Sequence, residues 1–500
     1  MNDLNQFYID GEWTTPSGAA RSWIVDPATE ERIGSVALGD ARDVDRAVAA
    51  ARRAFASYSL TSVDERLALL ASIMDHYEAR FDDLVEAVTL EMGAPRSLSR
   101  DDQVPAGLGQ FRRTREALSG FDFQSRSGST AILYEPVGVC ALITPWNWPL
   151  LLIGSKVAPA IATGCTMVLK PSELAPLSAV IIAEILHDAG VPRGVFNLVH
   201  GDGPTVGGAL SRHEDVDMVS ITGSTRAGVE VARNAAPSVK RVHQELGGKS
   251  AHIVLSDADL PTAITYSVTA MMENAGQSCD ARSRILVPRG RLKEAGEVAR
   301  RTIDTVNVGS PQRGNAVVGP VVSASQYDRV QGLIARAIDQ GATLVAGGLG
   351  RPRGLERGYY VRPTVLSNVT NEMEIAREEV FGPVVTLIAY DDDDDAIRIA
   401  NDSPYGLSGA VSSGDLQHAR DVARRIRAGM FHINGKGLDG TSPFGGYKRS
   451  GNGREYGVFG LREFLEVKSV FGFYADEASG PGAPSHQAPD PSTGTSGGDA

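Results

Sequence analysis

The chain has 500 residues and a formal net charge of −12. Its length predicts about three domains with sizeable buried cores. The acidic balance argues against nucleic-acid binding, which favours basic surfaces. No apolar run approaches the ~20 residues that a membrane helix needs, and the N-terminus has neither the basic nor the apolar region of a signal peptide. We therefore expect a cytoplasmic protein without a nucleic-acid or membrane partner.

In chain order, the first predicted elements are a hairpin and two helical runs. Residues Phe7–Trp13 contain an Asp-Gly pair between apolar residues, which predicts a β-hairpin. Asp40 is a typical helix cap, because apolar residues recur at helical spacing after it. A second helical run is predicted from Glu65 to Met92. Beyond Tyr134, β-rich runs alternate with helical stretches, which predicts βαβ units, a parallel sheet and an α/β fold. These β-rich runs include Val139–Thr144, Thr166–Lys170 and Val216–Thr222.

Two segments stand apart from this alternation. Gln124–Pro136 is typical of a hairpin arm, and Leu465–Phe471 of an isolated strand. A two-stranded arm is marginally stable alone, so we expect it to have a partner. Residues 475–500 are rich in Gly, Pro, Ser and Asp and lack any large apolar anchor, which predicts a disordered tail.

The sequence predicts no metal site. The acidic run Asp391–Asp395 lacks the alternating ligands, the glycine and the distant glutamate of a calcium loop. We interpret it as the cap of a helix that includes Ala396. The nine histidines show no HExxH arrangement, and the three cysteines form no CxxC pair. His243 would share a strand face with Glu245, and a packed position and a catalytic role are both open to it.

Three residues in separate motifs are suited to acyl transfer. Cys279 has glycine and polar neighbours, whereas Cys140 and Cys165 have settings typical of buried thiols. Glu245, in Glu-Leu-Gly-Gly-Lys, offers a carboxylate that could activate water. Asn147, in Pro-Trp-Asn-Trp-Pro, offers an amide that could hold an oxyanion. Together the three groups would support chemistry through a thioester, although each motif alone is also compatible with a simple turn.

With further motifs, these residues give the chain a resemblance to the NAD(P)-dependent aldehyde dehydrogenase superfamily. The resemblance runs from about Phe7 to about Phe473 and implies NAD-dependent oxidation of an aldehyde to its carboxylic acid. It implies a Rossmann-like dinucleotide-binding domain, an α/β catalytic domain and a small β oligomerisation arm. The additional matching segments are Leu169–Glu173, Thr222–Thr225, Glu379–Pro383 and Pro443–Lys448.

The resemblance also implies catalytic roles. Cys279 would form a thiohemiacetal and then a thioester, and Asn147 with the backbone N–H of Cys279 would hold the oxyanion. Glu245 would activate the water that hydrolyses the thioester. Lys156 would relay protons, with a surface lysine as the alternative. Family members that transfer the acyl group to coenzyme A generally lack this glutamate, so a coenzyme A-acylating enzyme is the less favoured alternative. A non-catalytic structural protein with the same fold is another.

The predicted dinucleotide site lacks the common G-x-G-x-x-G fingerprint. Instead, Gly223–Gly228 opens a helix, which would direct backbone N–H groups at a pyrophosphate. By resemblance, Lys170 and Glu173 would hold the adenosine ribose, and Glu379 and Phe381 would flank the nicotinamide riboside. Glu173 favours NAD over NADP because a 2′-phosphate would meet a like charge, although Lys170 could tolerate it. The predicted cofactor residues are Ile143, Trp146, Lys170, Glu173, Gly203, Gly223, Ser224, Gly228, Leu246, Glu379 and Phe381.

The resemblance implies a substrate tunnel, but the sequence does not identify the aldehyde. Ser155 and Leu438 stand where several relatives have aromatic residues, which favours a wide apolar tunnel. Asp280 follows the nucleophile directly and would disfavour acidic aldehydes if it faces the tunnel. The predicted tunnel residues are Trp148, Leu152, Ser155, Ser278, Asp280, Leu438 and Phe444.

The resemblance also predicts domain boundaries. Residues 1–122 and 141–245 would form the NAD-binding domain, and residues 246–448 the catalytic domain. Residues 123–140 and 460–474 would form the oligomerisation arm, followed by the tail at 475–500. The arm predicts a homodimer or a homotetramer.

Overall fold

The computed structural model describes residues 2–313 and 316–475. Nearly all of the predicted tail, residues 475–500, lies outside this range. The strands of the described part are, in chain order, β1 (Asn2–Leu4), β2 (Phe7–Ile9), β3 (Glu12–Thr14), β4 (Arg21–Asp26), β5 (Glu31–Ala37), β6 (Gln124–Ser127), β7 (Thr130–Pro136), β8 (Val139–Ile143), β9 (Thr166–Lys170), β10 (Phe196–Leu198), β11 (Met218–Gly223), β12 (Arg241–Leu246), β13 (Ala251–Val254), β14 (Arg284–Pro288), β15 (Thr343–Ala346), β16 (Thr364–Ser367), β17 (Val384–Tyr390), β18 (Tyr405–Gly406), β19 (Gly409–Ser412), β20 (His432–Ile433), β21 (Tyr447–Lys448), β22 (Gly451–Asn452) and β23 (Leu465–Val470).

The α-helices of the same residues vary from single turns to five turns. They are α1 (Ala41–Tyr58), α2 (Val63–Ala79), α3 (Phe81–Met92), α4 (Arg96–Leu98), α5 (Val104–Ser119), α6 (Pro149–Thr163), α7 (Leu177–Asp188), α8 (Gly208–Arg212), α9 (Thr225–Ala235), α10 (Leu260–Met272), α11 (Leu292–Ile303), α12 (Ala324–Asp339), α13 (Glu374–Arg377), α14 (Asp393–Asn401), α15 (Leu416–Arg425) and α16 (Gly457–Glu463). Among the described residues, every helix is too short or too polar to cross a bilayer.

The first large sheet has the strand order β22-β12-β11-β8-β9-β10-β2-β3. Its five central strands, from β12 to β10, are parallel. Strands β8 and β9 are buried along their whole length, which explains their nearly continuous apolar sequence. Helix α1 packs Val44 and Val48 against this sheet. The structure therefore confirms the predicted α/β fold, with its parallel sheet, and the hairpin formed by β2 and β3.

The second large sheet has the order β15-β16-β17-β14-β13-β19-β20. Strand β15 is antiparallel to its neighbour, and the other pairs are parallel. The core around this sheet takes apolar side chains from α10, α11 and α12. Helix α10 ends five residues before Gln277, so this core anchors the segment that leads to Cys279.

The parallel strands of the first sheet bring distant motifs to one edge. Ile143 ends β8, Lys170 ends β9, Gly223 ends β11 and Leu246 ends β12. In open α/β sheets, ligands bind outside the carboxyl ends of the strands. The segment with Asn147, the opening of α9 and the Glu245 strand all lie at that edge.

Among the described residues, a second compact unit consists of residues 122–135 and 466–475. Its sheet has the order β23-β7-β6, and β6 and β7 form an antiparallel hairpin. Lys468 pairs with Glu135 across the sheet at 2.5 Å. The predicted hairpin arm and terminal strand are therefore confirmed as parts of one small sheet.

The predicted helical run from Glu65 to Met92 is interrupted. Arg80 has φ −103° and ψ 16°, which is not helical, and it separates α2 from α3. Its side chain forms ion pairs with Asp83 at 2.5 Å and with Glu184 at 3.0 Å. Apolar periodicity continues through this break, so the pattern predicted one run where the chain forms two helices. The acidic run is confirmed as a helix start, since Asp392 caps α14.

Candidate active site

Cys279 follows a backbone turn in which three consecutive residues are left-handed. Asn274, Ala275 and Gly276 have φ angles of 50°, 54° and 72°. This conformation costs on the order of 1 kcal/mol or more for a residue with a Cβ. At Gly276 a Cβ would lie 2.2 Å from the carbonyl oxygen of Gly382. The turn therefore depends on a glycine and sets the direction in which the chain approaches Cys279.

Gln277 ties this turn to its surroundings. Its Nε2 donates to the carbonyl oxygen of Asn274 at 3.0 Å, and its Oε1 accepts from the backbone N–H of Val322 at 2.9 Å. Its own carbonyl oxygen accepts from Nδ2 of Asn147 at 3.0 Å. Because Gln277 is buried, these bonds fix the nucleophile loop and Asn147 relative to each other.

Asn147 is buried and is held through its backbone as well as its side chain. Its carbonyl oxygen accepts hydrogen bonds from Nδ2 of Asn274 at 2.8 Å and from Nε2 of Gln103 at 3.2 Å. Its Nδ2 carries two hydrogens, and the contact with Gln277 uses one of them. The second hydrogen can serve an oxygen on a group bonded to Cys279, as an oxyanion donor requires.

The Cys279 thiol lies in an environment that favours its neutral form. Burial raises its pKa well above the ordinary value, and the carboxylates of Asp280, Glu379 and Glu245 raise it further. Part of the residue is nonetheless exposed, so a ligand can reach Sγ. The resting residue is a thiol, and its proton must leave before sulfur can act as a nucleophile.

Glu245 points its carboxylate into the protein from the end of β12. The residue is 2% exposed, and neither Oε1 nor Oε2 has a hydrogen-bond partner among the described residues. A Cβ at Gly445 would lie 2.5 Å from Oε1, so only a glycine leaves room there. Burial, followed by the nearby Glu455, raises the pKa of Glu245 well above its ordinary value. A buried carboxylate of this kind is suited to general-base catalysis near neutral pH.

Lys156 is a buried ion-pair residue and not a surface lysine. It lies on α6, and its Nζ contacts Oε1 of Glu455 at 2.7 Å and Oγ of Ser220 at 3.0 Å. Both partners of the ion pair are almost completely buried. Sequence reasoning missed Glu455 and Ser220. The pair is 299 residues apart in the chain, and neither partner belongs to a motif that indicates the other.

The first of two cavities at Cys279, the Leu152 cavity, has a volume of about 480 Å³. Six of the seven predicted tunnel residues line it: Trp148, Leu152, Ser278, Asp280, Leu438 and Phe444. Ser155 does not line it, since this residue is buried in α6 and its Oγ donates to the carbonyl oxygen of Leu152. The sequence analysis missed other lining residues, including Gln110, Arg113, Met271, Glu273, Arg282 and Tyr456.

The second cavity, the Trp146 cleft, has a volume of about 550 Å³. The predicted cofactor residues that line it are Trp146, Gly223, Ser224, Leu246, Glu379 and Phe381. The rings of Trp146 and Phe381 meet edge to face, with centroids 5.4 Å apart. Residues missed by the sequence analysis also line the cleft, including Arg226, Gln326, Arg329, Tyr405 and Arg449. Gln326 holds the turn beside Glu379, because its Nε2 donates to the carbonyl oxygen of Phe381 at 2.8 Å.

The other predicted cofactor residues lie outside the lining of this cleft. Ile143 and Lys170 are paired across β8 and β9. Nζ of Lys170 donates to two carbonyl oxygens and lies 3.7 Å from Oε2 of Glu173. Gly203 begins a short π-helical turn that precedes α8. Gly228 permits close packing of α9 on β12, since a Cβ there would lie 2.6 Å from the side chain of Leu246.

Asn147 and Cys279 line both the Leu152 cavity and the Trp146 cleft. The cleft also contains the opening of α9, where Oγ of Ser224 accepts from the backbone N–H of Ala227. Unpaired N–H groups at such an opening attract anions. A nucleophile that lines both the Trp146 cleft and the mostly apolar Leu152 cavity can react with a ligand in one while a second ligand occupies the other.

Comparisons with known proteins identify the family of the chain. The model of the Aldehyde dehydrogenase family matches residues 13–470. A 3-succinoylsemialdehyde-pyridine dehydrogenase from a Pseudomonas species is 54% identical over 474 residues, covering 95% of this chain and 99% of the relative.

Solved structures of similar proteins share the fold. A cysteine-to-alanine variant of Aldehyde Dehydrogenase C from Pseudomonas syringae, in complex with NAD⁺ and octanal, has a TM-score of 0.94 and 54% identity, covering 94% of this chain and 97% of that chain. An aldehyde dehydrogenase from Mycobacterium tuberculosis, in complex with NAD⁺, has a TM-score of 0.91 and 41% identity, covering 94% and 98%. The chain described here belongs to the aldehyde dehydrogenase family.

Proposed function

We propose that this enzyme oxidises an aldehyde to its carboxylic acid with NAD, through a thiohemiacetal and a thioester on Cys279, and that water hydrolyses the thioester. The observation that carries the proposal is the position of Cys279 and Asn147, which line both the Leu152 cavity and the Trp146 cleft. An aldehyde in the cavity and a dinucleotide in the cleft would then meet at the sulfur.

In the first half-reaction the Cys279 thiol gives its proton to solvent water, and Sγ then forms a bond with the carbonyl carbon of the aldehyde. The carbonyl π electrons move to oxygen, and the resulting oxyanion needs donors that are already in place. Nδ2 of Asn147 and the backbone N–H of Cys279 fill that role in the proposal. The hydrogen bonds of Gln277 support it, because they hold both groups before a substrate binds. The C–H bond of the thiohemiacetal then breaks and leaves the thioester.

The residues of the Trp146 cleft fit a dinucleotide. The cleft lining carries three glutamates and three arginines, and the arginines (Arg226, Arg329 and Arg449) can pair with an anionic pyrophosphate. The opening of α9 adds backbone donors at Gly223 and Ser224. When bound there, NAD supplies the acceptor for the hydride that leaves the substrate carbon. The rings of Trp146 and Phe381 pack edge to face, and this contact stabilises one wall of the cleft.

In the second half-reaction, Glu245 accepts a proton from water as the water oxygen attacks the thioester carbon. The bond between the acyl carbon and Sγ breaks, the carboxylic acid leaves, and Cys279 is released as the free thiolate. Both carboxylate oxygens of Glu245 are free of hydrogen bonds among the described residues, so the group can accept this proton. Its presence favours water over coenzyme A as the acyl acceptor. Together, Cys279, Glu245 and Asn147 in one site disfavour a purely structural role.

We propose uncharged, largely apolar aldehydes as the substrate class. Leu151, Leu152 and Phe444 give the Leu152 cavity an apolar wall near the nucleophile. Its lining carries charges of both signs, with Arg113 and Arg282 as well as Glu273 and Asp280, and Asp280 is the one that directly follows the nucleophile. The relatives also support this class, since one is named for a pyridine semialdehyde and another was solved with octanal.

The experiment that tests the function measures NADH formation by absorbance with purified enzyme and a set of aldehydes. Octanal and an aldehyde of similar length that ends in a carboxylate form a matched pair. We expect turnover with octanal and a kcat/KM at least about tenfold lower with the acidic aldehyde. Repulsion between its carboxylate and Asp280 would weaken transition-state binding by about 1.4 kcal/mol or more. No NADH formation with any aldehyde would contradict the proposed function. A preference for the acidic aldehyde would contradict only the substrate class.

We predict that the enzyme prefers NAD to NADP. Glu173 can accept hydrogen bonds from a ribose hydroxyl but would repel a 2′-phosphate. Lys170 is poorly placed to offset this repulsion by pairing with the 2′-phosphate. Its Nζ already donates to the carbonyl oxygens of Pro171 at 2.6 Å and Gly201 at 2.7 Å. We expect kcat/KM to be at least about tenfold higher with NAD than with NADP. In Glu173→Gln the ratio of the two kcat/KM values should be smaller. Equal or better kcat/KM with NADP in the unmodified enzyme would show that the prediction is wrong.

We also predict a homodimer or homotetramer. Apolar side chains are exposed on and next to the small sheet of β6, β7 and β23: Val467, on β23, is 63% exposed, and Phe471, directly after β23, is 83% exposed. A sheet of this size with an exposed apolar surface is a site for pairing with another chain. In sedimentation at micromolar concentration we expect dimers or tetramers, and partial dissociation on replacing both residues with glutamate. Leu60→Glu is the matched control, since Leu60 is also 83% exposed but lies outside this sheet. A monomeric unmodified enzyme would contradict this assembly.

A further inference from the structure

Five buried polar side chains lie in series behind the active site, and hydrogen bonds join the first four. Oε1 of Glu455 lies 2.7 Å from Nζ of Lys156, which lies 3.0 Å from Oγ of Ser220. Oγ of Ser220 lies 2.9 Å from Nδ1 of His243, and Nε2 of His243 lies 3.6 Å from Oε1 of Glu245. Each residue is at most 2% exposed. The series therefore links an ion pair to the proposed base without passing through the surface.

The donors in this series have a definite direction. Nζ of Lys156 forms an ion pair with Glu455 and donates a hydrogen bond to Oγ of Ser220, so this hydroxyl oxygen is an acceptor. The hydroxyl hydrogen of Ser220 then points at Nδ1 of His243, since an unused buried hydroxyl would be costly. Nδ1 is therefore the acceptor nitrogen, and the ring proton is on Nε2. That N–H points towards Glu245.

The His243 ring is fixed and neutral. Burial lowers its pKa well below the ordinary value, and the charges of Lys156 and Arg454 lower it further. A Cβ at Gly453 would lie 2.2 Å from Cδ2 of His243, so Gly453 allows the ring to fit closely against this part of the backbone. His243 can therefore donate a hydrogen bond to a carboxylate without bringing a second charge into the site.

We propose that His243 is a positioning residue that holds the carboxylate of Glu245 ionised and oriented between turnovers through its Nε2–H. The 3.6 Å separation is longer than a hydrogen bond, and a small rotation of the Glu245 side chain is required to form the bond. Nε2 of His243 and both oxygens of Glu245 have no other hydrogen-bond partner among the described residues. The inference rests on the proposed role of Glu245 as the hydrolytic base, and Ser220 acts by fixing the tautomer of His243.

The charges that face Glu245 explain why a neutral donor matters there. Glu455, which precedes α16, and Glu463, on α16, raise its pKa in addition to the effect of burial. Lys156 on α6 and Arg454 beside Glu455 lower it. Burial is the largest effect, and it favours the protonated acid, which cannot act as a base. A donor aimed at the carboxylate opposes this effect and favours the charged form.

The test compares His243→Leu, which removes the donor, with His243→Gln, whose Nε2 can reach about the same place. The readouts are the NADH burst and the pH dependence of the steady-state rate that follows it. A base acts only above its pKa, and losing the donor raises the pKa of Glu245. The acid limb of the pH–rate profile, where the steady-state rate rises with pH, therefore moves to higher pH. For His243→Leu we expect a shift of about one pH unit, which is a tenfold lower rate below the limb, with a burst near one per site. In His243→Gln the acid limb should return most of the way to its position in the unmodified enzyme, because the glutamine supplies a donor.

Ser220→Ala is a second and smaller change that should shift the limb in the same direction, because Nδ1 of His243 loses its partner. His252→Leu is the matched control. His252 is a buried histidine of β13 between the hydroxyls of Ser267 and Ser412, and its loss should leave the limb unchanged. An unmoved limb in folded His243→Leu, or in Ser220→Ala if the first variant does not fold, overturns the inference. If the unmodified enzyme forms no NADH, the proposed function fails instead.

Discussion

Cys279→Ala is expected to abolish NADH formation. Without sulfur no thiohemiacetal forms, and the substrate carbon has no tetrahedral state from which a hydride can leave. Loss of a covalent nucleophile typically lowers turnover by at least about 10⁴-fold. The measurement is NADH absorbance with saturating aldehyde and NAD, both in a single turnover and in the steady state. No burst and no steady-state rate are expected.

Cys140→Ala is the control for this experiment. It removes a thiol that is completely buried in β8. We expect this change to cost about 1 kcal/mol or more in stability and to leave the burst and the steady-state rate close to those of the unmodified enzyme. NADH formation by Cys279→Ala above about one per cent of normal would contradict the covalent mechanism, since the remaining groups contribute only binding and electrostatic stabilisation.

Glu245→Gln is expected to separate the two half-reactions. Glutamine keeps the size of the side chain but cannot take a proton from water, so acylation proceeds while hydrolysis slows. We expect a burst of NADH near one per active site and a steady-state rate lower by about 10²-fold or more. Because burial raises the pKa of Glu245, hydrolysis in the unmodified enzyme should increase as pH rises through that pKa. The variant should lack this dependence. Stopped-flow absorbance across a pH series measures both phases.

Glu91→Gln is the matched control for Glu245→Gln. Glu91 is also a buried glutamate, but it accepts backbone N–H bonds from Leu177 at 2.6 Å and Ser178 at 3.2 Å at the start of α7. Its loss should lower stability by about 1–3 kcal/mol without separating burst from steady state. A Glu245→Gln enzyme without a burst would mean that Glu245 activates Cys279. Full turnover would mean that Glu245 is structural.

Much of the fold follows from patterns that are local in sequence. The alternation of β-rich and helical runs predicted the parallel sheet, and the Asp-Gly pair predicted the first hairpin. The break at Arg80 was not predictable in the same way, because the apolar pattern continues through it and the ion pairs of Arg80 include Glu184 on a distant helix. Local periodicity cannot report a partner that only tertiary packing supplies.

The candidate site likewise contains residues that a local motif identifies and residues that only tertiary packing identifies. Cys279, Asn147 and Glu245 were each found within a short motif, and the structure places all three in the lining of the Trp146 cleft. The burial of Lys156 was not visible, because its partner Glu455 is 299 residues away. Ser155 was predicted to face the tunnel, but its hydroxyl bonds to the carbonyl oxygen of Leu152 within α6. The rotation of a helix about its own axis decides which side chains face a cavity, and a motif does not encode it.

The junction of the Leu152 cavity and the Trp146 cleft has a kinetic consequence. Only Asn147 and Cys279 are common to the two linings as the structure describes them. In the proposed enzyme, aldehyde and dinucleotide would approach the sulfur from different sides, and neither would obstruct the path of the other. The order of addition and release would then be set by affinities and by the lifetime of the thioester, and not by a shared entrance.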